Sequence, residues 1–346
     1  MKVLSIIGHF AFGKKCIDGQ TVKTKIITDE LELQLGEEQV LKIDTHGKYK
    51  TLLKAPFQVL KALKYGRNTL IFPAHNGIKV FVPLLSFFKR FFKNRRLHYV
   101  VIGGWLPELL KQKKFLIKSL YRFYGIYVET NTMKIELEKL GLKNVYVVPN
   151  CKNLNVLSVE KLTYPTTMPY KLCIFSRVMR EKGIETAIKV ITRINEKLGT
   201  VYSLDIYGPI DQNQGEWFDD LQKKFPNFVR YCGCVDANKS VEVLKDYFAL
   251  LFPTHFYTEG IPGTIIDAYA AGLPVISARW ASFADVVDDG ITGYGYDFED
   301  EEHFEQILQD IVNSPEKILS LKANCINKAK SYLPEEVIYK ITRNLK

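Results

Sequence analysis

Residues 250–278 read L-L-F-P-T-H-F-Y-T-E-G-I-P-G-T-I-I-D-A-Y-A-A-G-L-P-V-I-S-A. An apolar run stops at a proline. A loop follows with Glu259, Gly260, Ile261, Pro262 and Gly263, then a helix-like stretch from Thr264 that carries Asp267, and a second apolar run from Pro274. Strand, loop, helix and strand in that order are the repeating unit of a parallel α/β sheet, which binds ligands outside the carboxyl ends of its strands. The loop holding Glu259 is therefore a candidate site. Unpaired N–H groups at a helix start, approached through glycines that leave the backbone bare, suit an anion such as a diphosphate. Glu259 at the strand end can accept hydrogen bonds from sugar hydroxyls, and Asp267, about one turn into the helix, can accept from ribose hydroxyls. Taken alone, Glu259 is equally well explained as an acid complementing a helix start.

A second segment decides between these readings. Residues 174–184 read I-F-S-R-V-M-R-E-K-G-I: a strand end, Ser176, a basic loop and a helix start. Arg177 and Lys182 place two cations at the sheet edge, where a departing diphosphate gathers charge, and stabilising such charge is usually the largest catalytic term. Arg180 is better explained as a solvated loop residue. No D-x-D triplet of the kind that chelates a metal on a diphosphate occurs, so neither a metal nor another cofactor is expected.

Together these segments resemble the retaining glycosyltransferases of family 4, the glycosyl transferases group 1. That group carries two acids separated by seven residues, here Glu259 and Asp267. Residues 270–276 resemble its helix end and following strand, and Asp285 to Gly293 its E-x-x-x-x-G-x-x-G element. Asp267 and Asp285 stand where glutamate is usual, and Pro262 where glycine is common. The resemblance implies a GT-B fold of two Rossmann-like domains facing each other across a cleft, a nucleoside diphosphate sugar as donor, and transfer with retention of anomeric configuration. It also implies that Glu259 orients the sugar and that Ser176, Arg177 and Lys182 serve the phosphates. Gly260, Ile261, Pro262, Gly263 and Thr264 would form the helix-start cradle, and Asp267 would hold the ribose. Residues 204–209, L-D-I-Y-G-P, and 229–235, V-R-Y-C-G-C-V, resemble turns near the nucleotide base, bringing in Gly208 and Cys234.

Outward from this core the same alternation runs the length of the chain. Strand-like runs at 3–7, 39–43, 69–72, 98–102, 126–129 and 145–148 alternate with amphipathic stretches, and others follow at 171–176, 202–207, 228–231, 248–252 and 274–277. At 346 residues the chain is longer than one core ordinarily supports, which agrees with two domains. The proline-bearing stretch 163–169, T-Y-P-T-T-M-P, marks the boundary: an acceptor domain at 1–165, a donor domain at 166–333, and a last helix at 334–346 that can return to the first.

In the first domain, residues 8–13, G-H-F-A-F-G, resemble the family's glycine-bearing loop over the donor phosphate and bring in Gly13. G-x-G-x-x-G is absent, which disfavours a nicotinamide oxidoreductase. The histidine that the family often carries after its fourth or fifth strand has no clear match, which keeps open a sugar-nucleotide or polyanion-binding protein without turnover. His75, His98 and Trp105 lie near strand ends. His75, Gly103, Gly104 and Trp105 are the acceptor-side candidates, with an ordinary turn the equal alternative for the glycines.

The composition is that of a soluble globular protein, with 47% hydrophobic and 25% charged residues. The six cysteines are scattered without a second ligand cluster, so zinc is not expected, and a reducing cytoplasm is the expected compartment. The net charge of +10 is concentrated in 84–125, which holds ten Lys/Arg against one acid, Glu108. Phenylalanines interleave with these cations. The pattern fits an amphipathic helix on an anionic membrane, with the protein peripheral on the inner face and a lipid-linked saccharide as acceptor. Nucleic acid is the rival polyanion, but no recognition module supports it.

Overall fold

The computed structural model describes residues 1–13, 19–47 and 49–345, with the side chains of 49–52 left aside. Cys16 and Lys346 lie outside the described residues. The chain divides into two compact units, Met1–Asn153 with Tyr332–Lys346, and Leu154–Ser331.

The first unit is built on a parallel sheet of β1 (Lys2–Gly8), β2 (Val40–Asp44), β3 (Gly66–Ile71), β4 (Arg96–Val100), β5 (Gly125–Val128) and β6 (Val145–Val147), in the order β2-β1-β3-β4-β5-β6. Both faces are covered, so successive residues of one strand belong to different cores. Leu4, Ile6, Leu70, Val100 and Tyr127 pack with Ile27 and Leu31 of the Gly19–Leu35 helix and with Val337, Ile338 and Ile341 of the Pro334–Thr342 helix. Ile7, Ile71, Tyr99 and Ile126 pack on the other face with Val59, Val82, Leu109 and Leu116. The C-terminal helix is thus part of this unit, and Asn68 Nδ2 donates to the Leu345 carbonyl at 2.7 Å.

The second unit holds β7 (Tyr170–Phe175), β8 (Tyr202–Tyr207), β9 (Val229–Gly233), β10 (Ala249–Phe252), β11 (Val275–Ala278) and β12 (Gly293–Tyr296). All pairings are parallel, in the order β12-β11-β10-β7-β8-β9. Numbered from its own first strand, this is the Rossmann order 3-2-1-4-5-6, read from the other edge. The helix Ile184–Leu198 turns Ile184, Ala187, Val190, Ile191 and Ile194 inward, the spacing of one buried face.

The units divide twelve residues before the expected boundary at 165. The segment after Asn153 is held by the second unit: the Leu157 amide donates to the Ala270 carbonyl at 2.8 Å, and the Thr163 hydroxyl to the Lys245 carbonyl at 2.5 Å. β12, with two glycines among its four residues, has no counterpart among the runs predicted from sequence. Gly293 is required there, because a Cβ would stand 2.0 Å from the Val275 carbonyl oxygen of the neighbouring strand.

Lys322, the first residue of the Lys322–Lys330 helix, is fully buried, and among the described residues its ammonium reaches only the Tyr247 carbonyl, at 3.4 Å. Burial pushes its pKa from 10.5 down to about 8, with Cys325, Asp246 and Cys173 acting weakly the other way. Between those values the unfolded chain binds more protons than the folded one, so stability rises with pH from about 8 to about 10.5. Below pH 8 the penalty of the buried charge is present in full. Lys322→Met is therefore expected to raise the unfolding free energy at pH 7 by up to about 3 kcal/mol and to flatten its alkaline rise. Denaturant unfolding at pH 7, 9 and 10 checks this; an unchanged or lower midpoint for the variant at pH 7 would contradict it.

Candidate functional site

In the second unit the strand order reverses between β7 and β10, so the crevice outside their carboxyl ends is the natural ligand position. Both motifs singled out in the sequence leave from these two strands. The loop after β7 passes Ser176 and Arg177, makes one tight turn at Arg180–Lys182, and enters the Ile184–Leu198 helix through Gly183. Gly183 has φ 70°, and a Cβ on it would lie 1.8 Å from the Pro253 carbonyl oxygen just after β10. Only glycine permits both the left-handed conformation and this approach. The His255 amide adds a bond to the Glu181 carbonyl at 2.8 Å.

This close fit brings Lys182 to Glu259, and the Lys182 ammonium donates to Glu259 Oε1. The rings of Phe252 and Phe256 stand 5.5 and 5.0 Å from the same nitrogen, within cation–π range. Lys182 is therefore caged by one carboxylate and two aromatic faces, while the side chains of Lys182 and Glu259 remain 16% and 19% exposed. The other oxygen of Glu259 has no partner among the described residues. The sequence reading assigns these two residues separate ligand groups. The structure pairs them, and they neutralise each other.

Gly260, Ile261 and Pro262 are buried, and they deliver the chain into the Gly263–Ala270 helix. The amides of Ile265 and Ile266 return to the Pro262 carbonyl, and no side chain caps the helix. The amides of Gly263 and Thr264 then have no acceptor among the described residues. The Thr264 hydroxyl is likewise buried without a partner. Two amides and a hydroxyl left without partners at a helix start are able to receive an anion. Asp267, further along, is almost wholly buried and accepts from the Ser240 hydroxyl at 3.1 Å.

Arg177 stands apart from the lysine cage. Its side chain is half exposed and lies 3.6 Å from the Asp211 carboxylate. The Ser176 amide donates to the Tyr207 carbonyl at 3.0 Å. Gly208 has φ 135° and must be glycine, since a Cβ would stand 1.8 Å from the Ser176 carbonyl oxygen. Its amide donates to Gly233, and Tyr231 donates its hydroxyl to the Gly208 carbonyl at 2.8 Å. Cys234 is an exposed free thiol. Asp285 sits in the short Phe283–Val286 helix, and Gly290, with φ 72°, turns the chain toward β12.

The first unit carries its own polar groups at the strand ends. Asp44 at the end of β2 accepts from the amides of Phe10, Ala11, Phe12 and His46. Burial opposes its ionisation, but these four donors hold its carboxyl below the usual range. The loop so anchored sets His9 Nε2 3.0 Å from His46 Nδ1, with His9 Nδ1 2.6 Å from the Thr21 hydroxyl. Gly13, φ 73°, ends the described part of the loop. Three of the acceptor-side candidates cluster: His75 and Trp105 meet edge to face at 5.4 Å, and Gly103 lies 3.4 Å from the edge of the indole, measured from the position a Cβ would take. Gly104 sits between Gly103 and Trp105 in the same turn. His98 belongs to the core, bonded to Tyr127 and Asn68, and burial pushes its pKa down to about 3.

Sequence reasoning missed the aromatic half of the lysine cage, the His9–His46 pair, and Trp280, whose indole N–H is buried beside Phe252 without a partner among the described residues. Phe252 was visible only as the end of an apolar strand, and Phe256 as an unremarked loop residue.

Residues 164–332 match the family model described as Glycosyl transferases group 1. An uncharacterised 41.2 kDa protein of the cps region of Klebsiella pneumoniae is 25% identical over 206 residues, 58% of this chain and 52% of that protein. Glycogen synthase of Mycobacterium tuberculosis is 28% identical over 132 residues, 37% of this chain and 30% of that enzyme. The match thus spans about half the length of the Klebsiella relative and less of the synthase. Among solved structures, Anabaena HepE in complex with UDP superposes with a TM-score of 0.76 at 15% identity, over 100% of this chain and 99% of that one. Sucrose-phosphate synthase from Thermosynechococcus elongatus superposes with a TM-score of 0.76 at 13% identity, over 99% and 98%. These two likenesses are of fold. Residues 164–332 therefore match the glycosyl transferases group 1, in a chain with the two Rossmann-like domains of the GT-B fold.

Proposed function

We propose that the chain transfers a sugar, with retention, from a nucleoside diphosphate sugar to a hydroxyl of a lipid-linked glycan in surface polysaccharide or glycolipid synthesis. The observation that carries the donor half of this reading is the Lys182–Glu259 pair at the switch point, close in sequence to a helix start with unused amides. HepE has been solved with UDP and glucose and with UDP-glucose, which supports a uridine diphosphate donor here.

In the reaction the bond from the anomeric carbon to the diphosphate oxygen breaks, and one to the acceptor oxygen forms as the hydroxyl proton passes to the leaving diphosphate oxygen. Negative charge grows on the diphosphate. The Gly263 and Thr264 amides and Lys182 are placed to meet it, with Arg177 reaching in from solvent. Lys182 shifts toward the phosphate as Glu259 turns to the sugar hydroxyls, so the pair is exchanged for two ligand contacts. Asp267 holds the ribose once its bond to Ser240 is shared. On this reading the protein's own cations and amides do the work of a metal, and turnover is insensitive to chelators.

Glu259→Ala is expected to retain a cooperative melt and lose at least a hundredfold in turnover, an effect of about 2.7 kcal/mol on the barrier. Lys182→Ala should lower turnover comparably. Coupled detection of nucleoside diphosphate release, with and without EDTA, reads both. Near-normal rates in Glu259→Ala, or strict dependence on added Mg²⁺ or Mn²⁺, would overturn the assignment, and donor binding without turnover in the parent would leave a binding protein.

The membrane half rests on the first unit. No helix among the described residues is long and apolar enough to cross a membrane. Of the phenylalanines in the basic segment, Phe87, Phe91 and Phe115 are exposed, whereas Phe88 and Phe92 pack against the core. The Tyr49–Tyr65 helix packs beside Ile78–Phe88 and adds Leu53 and Phe57, 80% and 75% exposed, which lie outside the basic segment. Exposed apolar side chains among cations suit an anionic lipid surface, where each cation contributes about 1 kcal/mol. Arg95 and Arg96 are tied to the Leu63 carbonyl and the Tyr124 ring, so the exposed Arg90, Lys93, Lys113, Lys114 and Lys118 are the ones to test. Changing these five to glutamine is expected to abolish sedimentation with phosphatidylglycerol vesicles while sparing donor hydrolysis. Binding of the parent should weaken with salt, since screening acts over about 10 Å at 0.1 M. Equal sedimentation of parent and variant would remove the membrane from the proposal.

A further inference from the structure

The turn after β4 is more elaborate than a connection requires. The Gly103 amide donates to Glu129 Oε1 at 3.2 Å, and the same oxygen pairs with the Lys23 ammonium at 2.5 Å. Lys23 also donates to the Val101 carbonyl at 3.3 Å, and both side chains of the pair are almost completely buried. Burying two charges is costly, and such a pair contributes little net stability. What it accomplishes is to fix the turn. Gly103 takes φ 78° and lies against the edge of the Trp105 ring.

Trp105 is consequently held from three sides. It packs against the hydrophobic core, its indole N–H donates to the Ile102 carbonyl at 2.7 Å, and His75 from the loop after β3 meets it edge to face. Indole has one donor and no acceptor, so with that donor engaged the exposed part of Trp105 can offer only its π surface. His75 is exposed and has no hydrogen-bond partner among the described residues, so its ring nitrogens are available beside that surface. The surroundings disfavour phosphate: Lys23 is neutralised by Glu129, and Glu108 occupies the first turn of the following Leu106–Gln112 helix.

A preset aromatic face with a polar ring at its margin, and no local anion site, matches one ligand chemistry well. A pyranose presents weakly positive axial C–H groups on one face and hydroxyls round its rim, and an aromatic ring is negative on its face. We infer that Trp105 and His75 form a saccharide platform that seats a neutral pyranose unit of the acceptor, Trp105 by stacking and His75 by hydrogen bonds to the rim. This rests on the glycosyltransferase reading and adds to it the residues that select an uncharged sugar ring as acceptor.

The test uses saturation-transfer NMR on the full chain with cellobiose, maltose and methyl β-D-galactopyranoside, alongside calorimetric titration with UDP. The parent should transfer saturation to the ring C–H protons of at least one saccharide. Trp105→Phe should keep most of that signal, Trp105→Ala should lose at least fivefold, and His75→Ala should weaken it without abolishing it. Trp105→Leu keeps apolar bulk against the core without a π face, and should match Trp105→Ala if the latter fails to fold. UDP affinity should stay within twofold in every variant. Absence of transfer from the parent to all three saccharides, or undiminished transfer in Trp105→Ala or Trp105→Leu, would overturn the platform. Loss of UDP binding by the parent with the saccharide signal intact would instead sink the donor reading and leave the platform standing.

Discussion

The contact between Gly183 and the Pro253 carbonyl is the constraint on which the candidate donor site depends. It joins the loops after β7 and β10 at the one place in the second sheet where the strand order reverses. With any side chain at Gly183 the loops would separate by more than an ångström, because 1.8 Å is far inside a carbon–oxygen contact. Lys182, one residue earlier, would then leave Phe252, Phe256 and Glu259. The pair is partly open to water, so its contribution to stability is small. Its value is positional: a cation held before the ligand arrives does not have to be ordered at the moment of reaction.

The fold was legible wherever periodicity carried it. Strands buried on both faces read as short β-branched runs, and eleven of the twelve strands among the described residues correspond to such runs. β12 fails that test because its Gly-Tyr-Gly-Tyr is selected for clearance rather than for strand propensity. Gly293 must clear the Val275 carbonyl, and Gly295 the Phe283 ring, at 2.4 Å from where a Cβ would lie. The inter-unit boundary was displaced for a related reason. Proline-rich composition marks irregular backbone, but irregular backbone can still be pinned, as Leu157 and Thr163 are.

The site was legible in its charges and obscure in its packing. Glu259, Lys182 and the glycines announce themselves by type and spacing. That Lys182 faces Glu259 rather than solvent follows from Gly183, whose role appears only when two distant loops are brought together. Arg177, read together with Lys182 as a cation for the donor phosphates, has its guanidinium 3.6 Å from the Asp211 carboxylate. Asp267 is less accessible than its place one turn into a helix suggests, because the Ser240–Leu244 helix covers it. Histidines misled in both directions. His98 looked like a strand-end residue and is core, whereas His9 and His46, far apart in sequence, meet at 3.0 Å beside the loop that the Asp44 carboxylate anchors.

The two units obey one topological rule with different chemistry. In the first, the order β2-β1-β3 reverses between β1 and β3, whose carboxyl ends lead to His9 and His75. In the second, the reversal lies between strands ending in a basic turn and a glycine-rich helix start. A crevice at a switch point is produced by strand order alone, so the fold offers both units a place to bind and leaves its polarity to a few residues. The second unit gathers free amides and a lysine, which suits an anion. The first satisfies its amides with Asp44 and Glu129 and presents imidazole and indole, which suits a neutral, hydroxyl-bearing molecule. A sheet repeated with this division of chemistry offers one unit to an anionic ligand and the other to an uncharged one, and a handful of side chains at each switch point makes the difference.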